Sequence, residues 1–382
     1  MVSQNRSGAD VLIVGGGPAG LSAAIALRQK GASVLVTDAL RPPIDKACGE
    51  GLMPDSRVEL GRLGITLGPA DGREFRGIHF ANRNNGRMDC VTAQFANGVG
   101  LGVRRVRLHE ILVERAEAAG VRLMWGVHVE LGSNGEVQVD GQPCSYQHVI
   151  GADGQGSAVR KWSGLDAGST ISRRFGFRRH FRIRPWSENV EVHWGRCGQA
   201  YVTPVGEDEV CIATIAGDPQ ARMDQVVESI PFLRDALKGQ DTTSRQRGAV
   251  TTTRRLRCVA KGRVALIGDA SGSADAITGE GLAMVFRQAQ LLARAIELGD
   301  LSHYASGHAA ILEMPMTIAR VMLLMDRHPM FRNRAMRVLA SEPALFSRML
   351  SVHMGEESLP RFVRERGLHL GWRILVPSTV SV

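Results

Sequence analysis

Gly15, Gly17 and Gly20 have the spacing of a phosphate-binding turn. They lie in GGGPAG, after the short apolar run DVLIV and before LSAAIALRQKG, where Leu21, Ala24, Ile25 and Leu27 fall at helical spacing ahead of Gly31. A second apolar run, SVLVTD, ends in Asp38. In such a strand, turn, helix and strand unit, the first glycine permits the tight turn and the second lets backbone N–H groups approach a pyrophosphate. The third lets helix and strand pack closely. The helix N-terminus, with Pro18 and Ala19 in its first turn, then faces the phosphate charge, and Asp38 can hydrogen-bond a ribose hydroxyl. The unit predicts dinucleotide binding and leaves NAD and FAD both open.

Further segments carry residues suited to chemistry. RVALI runs straight into Gly268 and Asp269, which sets a carboxylate at the carboxyl end of a parallel strand, where open α/β sheets bind ligands. Thr278-Gly279-Glu280-Gly281-Leu282 follows and starts the helix AMVFRQAQLLARAIELG. Upstream, VIGADG ends in Asp153 and Gly154 and continues to Ser157 and Arg160. Lys46-Ala47-Cys48-Gly49-Glu50-Gly51-Leu52 sets a thiol among glycines.

In this order the segments resemble the FAD-dependent oxidoreductases of the para-hydroxybenzoate hydroxylase fold, which include aromatic hydroxylases, flavin halogenases and geranylgeranyl-reductase-like enzymes. VIGADG looks like the family's DG motif, with Asp153 and Gly154, and IGDAS looks like its GD motif. The resemblance implies that Asp269 accepts a hydrogen bond from the flavin ribityl chain. It also implies that Gly279, Glu280, Gly281 and Leu282 bring a helix N-terminus to the flavin ring, where the dipole favours an electron-rich reduced flavin. Arg105-Val106-Arg107-Leu108, with Leu112 and Ala116, is similar to the family helix whose leading arginine approaches FAD; the other reading of Arg105 is a solvated helix face beside Arg104 and Arg107. KACGEGL is similar to the KxCGxGL element of the geranylgeranyl-reductase-like members. It implies that Lys46, Cys48, Gly49, Gly51 and Leu52 run beside the isoalloxazine, where a Cβ would collide with the ring. Cys48 is thereby a candidate catalytic thiol, against the commoner fate of a small buried hydrophobe.

The elements that position these segments predict an α/β fold: a Rossmann-like FAD-binding domain interleaved with a β-sheet substrate domain, plus C-terminal helices. The expected FAD-binding parts are 1–80, 100–170 and 250–300; the β-rich substrate-binding parts are 81–99 and 171–249; the helical region is 301–382. RRFGFRRHFRIR, NVEVHWG, QAYVTPV and DEVCIATIA read as strands. Phe177, Phe181 and Ile183 share one face, and Val190, Val192 and Trp194 one face of the next strand. The alternate, wet face is expected to carry Arg178, His180, Arg182, Glu191 and His193. His180 and His193 are candidate acid/base groups, since imidazole titrates near neutrality; the alternative is half-exposed histidines paired with Glu191 or water. Methionines such as Met314, Met316 and Met322 lie among arginines in the tail, which suits a helical cap, a hydrophobic substrate channel or a peripheral membrane contact.

Composition bounds the remaining choices. The chain has 382 residues, enough for about two domains. Lys+Arg 47 against Asp+Glu 38 gives a net charge of +9, spread along the chain with no long like-charge block, so no nucleic-acid partner is expected. The 6 cysteines form no CxxC pair and no Cys/His cluster at ligand spacing, so neither a metal nor a disulfide framework is expected. The N-terminus is polar and no long uninterrupted apolar run appears, which predicts a cytoplasmic protein with no transmembrane segment. No second GxGxxG opens a helix, so NAD(P)H, the co-substrate implied by the resemblance, is expected to dock without its own Rossmann unit. The implied reaction is FAD-dependent monooxygenation of a hydrophobic aromatic or polyketide-like small molecule with NAD(P)H and O2. The alternative is geranylgeranyl-reductase-like reduction of prenyl or other C=C bonds, for which KACGEGL and TGEGL argue and YVTPV argues against. The oligomeric state stays open.

Overall fold

In the computed structural model, which describes residues 9–84, 86–132, 136–367 and 373, the N-terminal apolar runs become the centre of a parallel sheet. β1 (Val11–Val14), α1 (Pro18–Gln29) and β2 (Val34–Asp38) form the expected unit. Pro18 occupies the first turn of α1, where its missing N–H has no intrahelical partner to lose. The chain continues through α2 (Pro54–Arg62), the hairpin β3 (Gly77–Asn84) and β4 (Arg87–Gln94), α3 (Arg105–Ala118), β5 (Arg122–Trp125), β6 (His148–Gly151) and α4 (Ala158–Trp162). Next come β7 (Gly168–Phe181), β8 (Val190–Trp194), β9 (Gln199–Gly206), β10 (Glu209–Ala216), α5 (Met223–Glu228), α6 (Pro231–Leu237), β11 (Arg247–Leu256) and β12 (Val264–Leu266). Helices then dominate: α7 (Gly281–Glu297), α8 (Leu301–Arg327), α9 (Pro329–Ser341) and α10 (Pro343–His353).

The first sheet has the order Ala260–Lys261, β12, β6, β1, β2, β5, parallel apart from the antiparallel Ala260–Lys261 edge. Its central strands are continuous apolar runs because both faces are covered. α1, α3 and α7 pack on one side, and Val137, Tyr146 and Val159 on the other. The second sheet has the order Gly272–Ser273, β11, β7, β10, β9, β8, β3, β4, antiparallel except where β8 lies on β3. β3 begins at Gly77, β7 spans Gly168–Phe181 and β11 spans Arg247–Leu256, so the boundaries expected at 80, 170 and 249 fall inside strands; the hydrogen-bonded ladder, not composition, sets them.

Register overturns one expectation. His180 pairs with Cys211, whereas His193 pairs with Ala200 and Glu191 with Val202. Paired residues share a face, so Glu191 and His193 lie with Ala200, Val202 and Ile212 under α5 and α6. His180 lies on the other face with Cys211, Tyr201 and Val192. Of the expected wet face, Arg182 is exposed, but Arg178, His180, Glu191 and His193 are not on one solvated face. All four are buried, because α5 and α6 cover one side of the sheet and the cofactor domain together with the C-terminal helices covers the other.

Among the described residues, α8 is long and apolar enough to cross a membrane, against the expectation that no segment would be. Its Tyr304, Leu312, Met316 and Leu323 pack into the protein core, which is how a core helix passes the same test. Phe286 of α7 is 0% exposed in the core between α7 and the first sheet. Phe286→Ala should lower the unfolding free energy by about 3–5 kcal/mol, while Val58→Ala on the exposed side of α2 should change it by less than about 0.5 kcal/mol. Equal denaturation midpoints for the two variants would refute this packing.

Candidate cofactor and active site

The glycine turn divides into positions that must lack a side chain and positions that open outward. Gly15 has φ +114°, and a Cβ there would lie 2.4 Å from Ala152 O; at Gly20 it would lie 1.8 Å from Gly15 O. Gly20 permits the close approach of α1 to β1, and Gly15 lets the turn pass beside the chain leaving β6. No atom lies within 4 Å of the position a Cβ would take on Gly17, Gly49, Gly279 or Gly281, so these residues form a cradle in which backbone can meet a ligand. Asp38 accepts from Gly16 N at 2.7 Å and Leu40 N at 2.8 Å, which shapes the turn, and its oxygens retain lone pairs for a ribose hydroxyl.

His109 of α3 is a contributor that sequence reasoning missed. It is buried, its Nε2 lies 2.9 Å from Gly16 O, and Ile44 N donates to its Nδ1 at 3.4 Å. Those partners select the tautomer with the proton on Nε2, and burial lowers its pKa, which keeps the ring neutral. The available signal was its place one turn after Arg105 on the same helix.

The distant motifs converge. Lys46 Nζ lies 3.1 Å from Asp269 Oδ2, with both groups partly exposed. Arg105 is buried, its N donates to Glu50 Oε1 at 3.0 Å, and its Nη1 has no hydrogen-bond partner. The solvated-face reading fits Arg107 instead, which pairs with Asp71 at 3.0 Å. A buried guanidinium nitrogen lacking an acceptor, next to an open glycine cradle, fits the phosphate or ribityl oxygens of FAD. Asp153, expected among the cofactor-binding residues, caps α4: it accepts from Ser157 Oγ, Ala158 N and Val159 N at 2.5, 2.6 and 3.1 Å. Gly154, with φ +78°, turns the chain there, and Arg160 donates to Ala270 O at 3.1 Å, which joins the DG and GD segments.

Glu50 is the second residue missed, although it stands between Gly49 and Gly51. It has φ +61° and is 2% exposed. Its Oε2 lies 2.5 Å from His180 Nε2, His180 Nδ1 lies 2.7 Å from Ser244 Oγ, and Arg178 Nε lies 3.5 Å from Glu50 Oε1. Thr203 Oγ1 donates to Gly49 O at 2.7 Å and secures the same loop to β9. The ligating atoms of Glu50, His180 and Cys211 lie within 4.8 Å of one another. Arg178 sets a guanidinium beside the same carboxylate while pairing more closely with Asp45, and its Nε makes no hydrogen bond.

The other two catalytic candidates fare differently. Burial raises the Cys48 thiol pKa, so Cys48 is a neutral thiol and not a thiolate nucleophile. His193 lies across the sheet from this loop: its Nε2 is 2.7 Å from Glu191 Oε2 and its ring stacks on Phe232 with centroids 5.7 Å apart.

Glu280 precedes α7, is 2% exposed, and its Oε2 has no hydrogen-bond partner. Burial, reinforced by Asp55 and opposed by Arg287, pushes its carboxyl up to about 8. His353 of α10 places Nε2 3.5 Å from Glu280 Oε1, and burial, with Arg287 adding, pushes its pKa down to about 4. At neutral pH both are uncharged, so this contact is not an ion pair.

Because the folded protein holds the Glu280 proton up to about pH 8 against an ordinary value of 4.5, stability falls as pH rises between those values and levels off above. Glu280→Gln should remove that slope. In thermal melts it gains on the parent protein from about pH 4.5 to about pH 8 and then stops gaining; a gap independent of pH would contradict the assignment. The Lys46–Asp269 pair is partly exposed and worth at most about 1 kcal/mol. Asp269→Ala should therefore leave the melting of the FAD-free protein almost unchanged while lowering the FAD retained after desalting, and full retention would exclude Asp269 from the cofactor site.

A family model described as an FAD binding domain matches residues 8–299. The menaquinone reductase of Mycobacterium tuberculosis is 27% identical over 323 residues, 77% of this chain and 78% of that protein. The 12-dehydrotetracycline 5-monooxygenase/anhydrotetracycline 6-monooxygenase of Streptomyces rimosus is 34% identical over 167 residues, 41% of this chain and 33% of that enzyme. Among solved structures, a flavoprotein/dehydrogenase from Cytophaga hutchinsonii superposes with a TM-score of 0.77 at 18% identity, covering 96% of this chain and 98% of its own. A flavin-dependent brominase superposes at 0.69 with 16% identity, covering 92% of this chain and 100% of its own. These two likenesses speak to the fold. With the cradle, the unpartnered Arg105 and the match over residues 8–299 all agreeing, the chain belongs to the FAD-binding family and is an FAD-dependent oxidoreductase of the para-hydroxybenzoate hydroxylase fold.

Proposed function

We propose that the protein is a monooxygenase that uses FAD, NAD(P)H and O2 to hydroxylate a hydrophobic aromatic or polyketide-like small molecule. The observation that carries this reading is an apolar cluster reaching from the cofactor loops to the second sheet. Met53, Ile277 and Met284, beside the two glycine-bearing loops, pack in one cluster with Trp194 and Tyr201 of the sheet and with Met316 and Met336 of α8 and α9. Phe80 lies edge-on to Trp194 at 5.0 Å and 4.7 Å from Phe346. Thioethers and aromatic rings adapt to a flat apolar molecule and keep water out. The similarity to the tetracycline-pathway enzyme supports the same substrate class.

When bound, FAD supplies the redox chemistry, passing reducing equivalents from NAD(P)H to O2. The chain supplies binding and electrostatics. The Gly17 N–H and Arg105 would hold the phosphates, Asp269 would accept from the ribityl hydroxyls, and the N-terminus of α7 would favour negative charge beside them. NAD(P)H docks on this protein without a nucleotide-binding sheet of its own. The six cysteines are all free, which suits a cytoplasmic setting.

A second reading, reduction of a prenyl or other C=C bond, draws on the similarity to menaquinone reductase and on Cys48 as a neutral thiol able to donate a proton. One comparison separates the two. FAD-loaded protein is given NADPH with phenolic or prenylated compounds, with and without O2. The monooxygenase yields a product heavier by one oxygen atom only in air, whereas anaerobic loss of a double bond would replace that reading with the reductase.

A further inference from the structure

Away from the cofactor site, a cavity of about 520 Å³ opens where the β3–β4 hairpin, the end of β8, the α5–α6 turn and the α8–α9 turn meet. Its rim mixes apolar and cationic side chains: Met88, Phe232 and Pro329 with Arg83, Arg196 and Arg332. Met88 and Phe232 are 46% and 44% exposed, and Met330, next to Pro329, is 80% exposed. The solvent side of the last turns of α8, which lead into this corner, carries Val321 and Leu324 between Arg320 and Arg327. Five of the large hydrophobic side chains exposed in the described residues therefore lie on or beside this rim.

The charges at the corner add a second feature. Elsewhere arginines such as Arg57, Arg160, Arg174, Arg178, Arg287 and Arg348 are engaged by carboxylates. Arg83, Arg196, Arg320 and Arg327 have no carboxylate partner among the described residues. Asp326, the acid that lines the cavity, is taken by Arg174 at 3.1 Å and by Gln199 at 3.2 Å. Exposed apolar side chains ringed by unpaired arginines match the boundary between lipid headgroups and acyl chains, where arginine reaches phosphate and methionine, leucine and phenylalanine enter the apolar layer. Two copies of the corner face to face would set like charges against each other, which disfavours self-association there.

We propose that this corner docks on the surface of an anionic phospholipid bilayer, with Met330, Phe232 and Leu324 entering the headgroup region and the unpaired arginines meeting lipid phosphates. It rests on this surface and not on the oxygenase reading, so either can fail without the other.

The test is sedimentation of the FAD-loaded full chain with vesicles of phosphatidylglycerol and phosphatidylcholine, against vesicles of phosphatidylcholine alone. The flavin absorbance in each fraction reports on folded protein. Binding should be at least about tenfold tighter to the anionic vesicles and should weaken with added salt. Met330→Asp and Arg327→Ala should each weaken it by roughly fivefold or more. Leu298→Asp, at an exposed position after α7, should leave it unchanged. Absence of binding to anionic vesicles, equal binding to neutral ones, or equal weakening by Leu298→Asp would overturn the proposal. So would lipid-free self-association abolished by Met330→Asp, which would give the surface to a second copy of the chain.

Discussion

Glu50 sits between the cofactor domain and the second sheet with its backbone in the left-handed region and its carboxylate shielded from water. The backbone conformation costs about 1–3 kcal/mol and the burial of the charge several more, so the position persists only because its surroundings hold it. They do so from two sides: Arg105 N at the start of α3, and His180 with Arg178 on β7. The loop that Glu50 anchors carries Lys46 toward Asp269 and fixes the Gly49 carbonyl on Thr203. Removing a partner of such a carboxylate leaves an uncompensated charge, a loss of about 3–5 kcal/mol. The alignment of the two sheets and the course of the cofactor loop thus depend on the same few bonds.

Residues whose roles are local are legible in the sequence. Gly15 and Gly20 announce themselves because backbone passes where a Cβ would be, and Pro18 and Gly31 mark the ends of α1. Alternation along β7 and β8 correctly separates odd from even positions but cannot say which set on one strand faces which set on the next. That depends on register, and register sends His180 toward Glu50 and His193 toward Phe232. His109, Glu50 and His353 escape for a related reason. Each acquires its role from a partner far away in sequence, at Gly16, His180 and Glu280, and no local pattern encodes those meetings. Asp153 illustrates the converse: its motif is legible, and its carboxylate is seen to accept from the first turn of α4, a role the motif does not announce.

The charge arrangement around the cradle follows one logic. A flavin gains negative charge when it is reduced, and the groups gathered here favour that sign: the N-terminus of α7, the buried Arg105 with a free nitrogen, and Lys46. An ionised Glu280 at the head of α7 would work against them, because it lies at the helix end where the dipole acts. Burial against Asp55 prevents this by keeping the carboxyl protonated to about pH 8, and His353, pushed down to about 4, brings no positive charge that would draw the proton away. The loop therefore holds a carboxyl group without contributing its charge. Glu280 and His353 belong to different parts of the chain, the first heading α7 and the second ending α10, so the carboxyl at the head of α7 meets a group from the C-terminal helices.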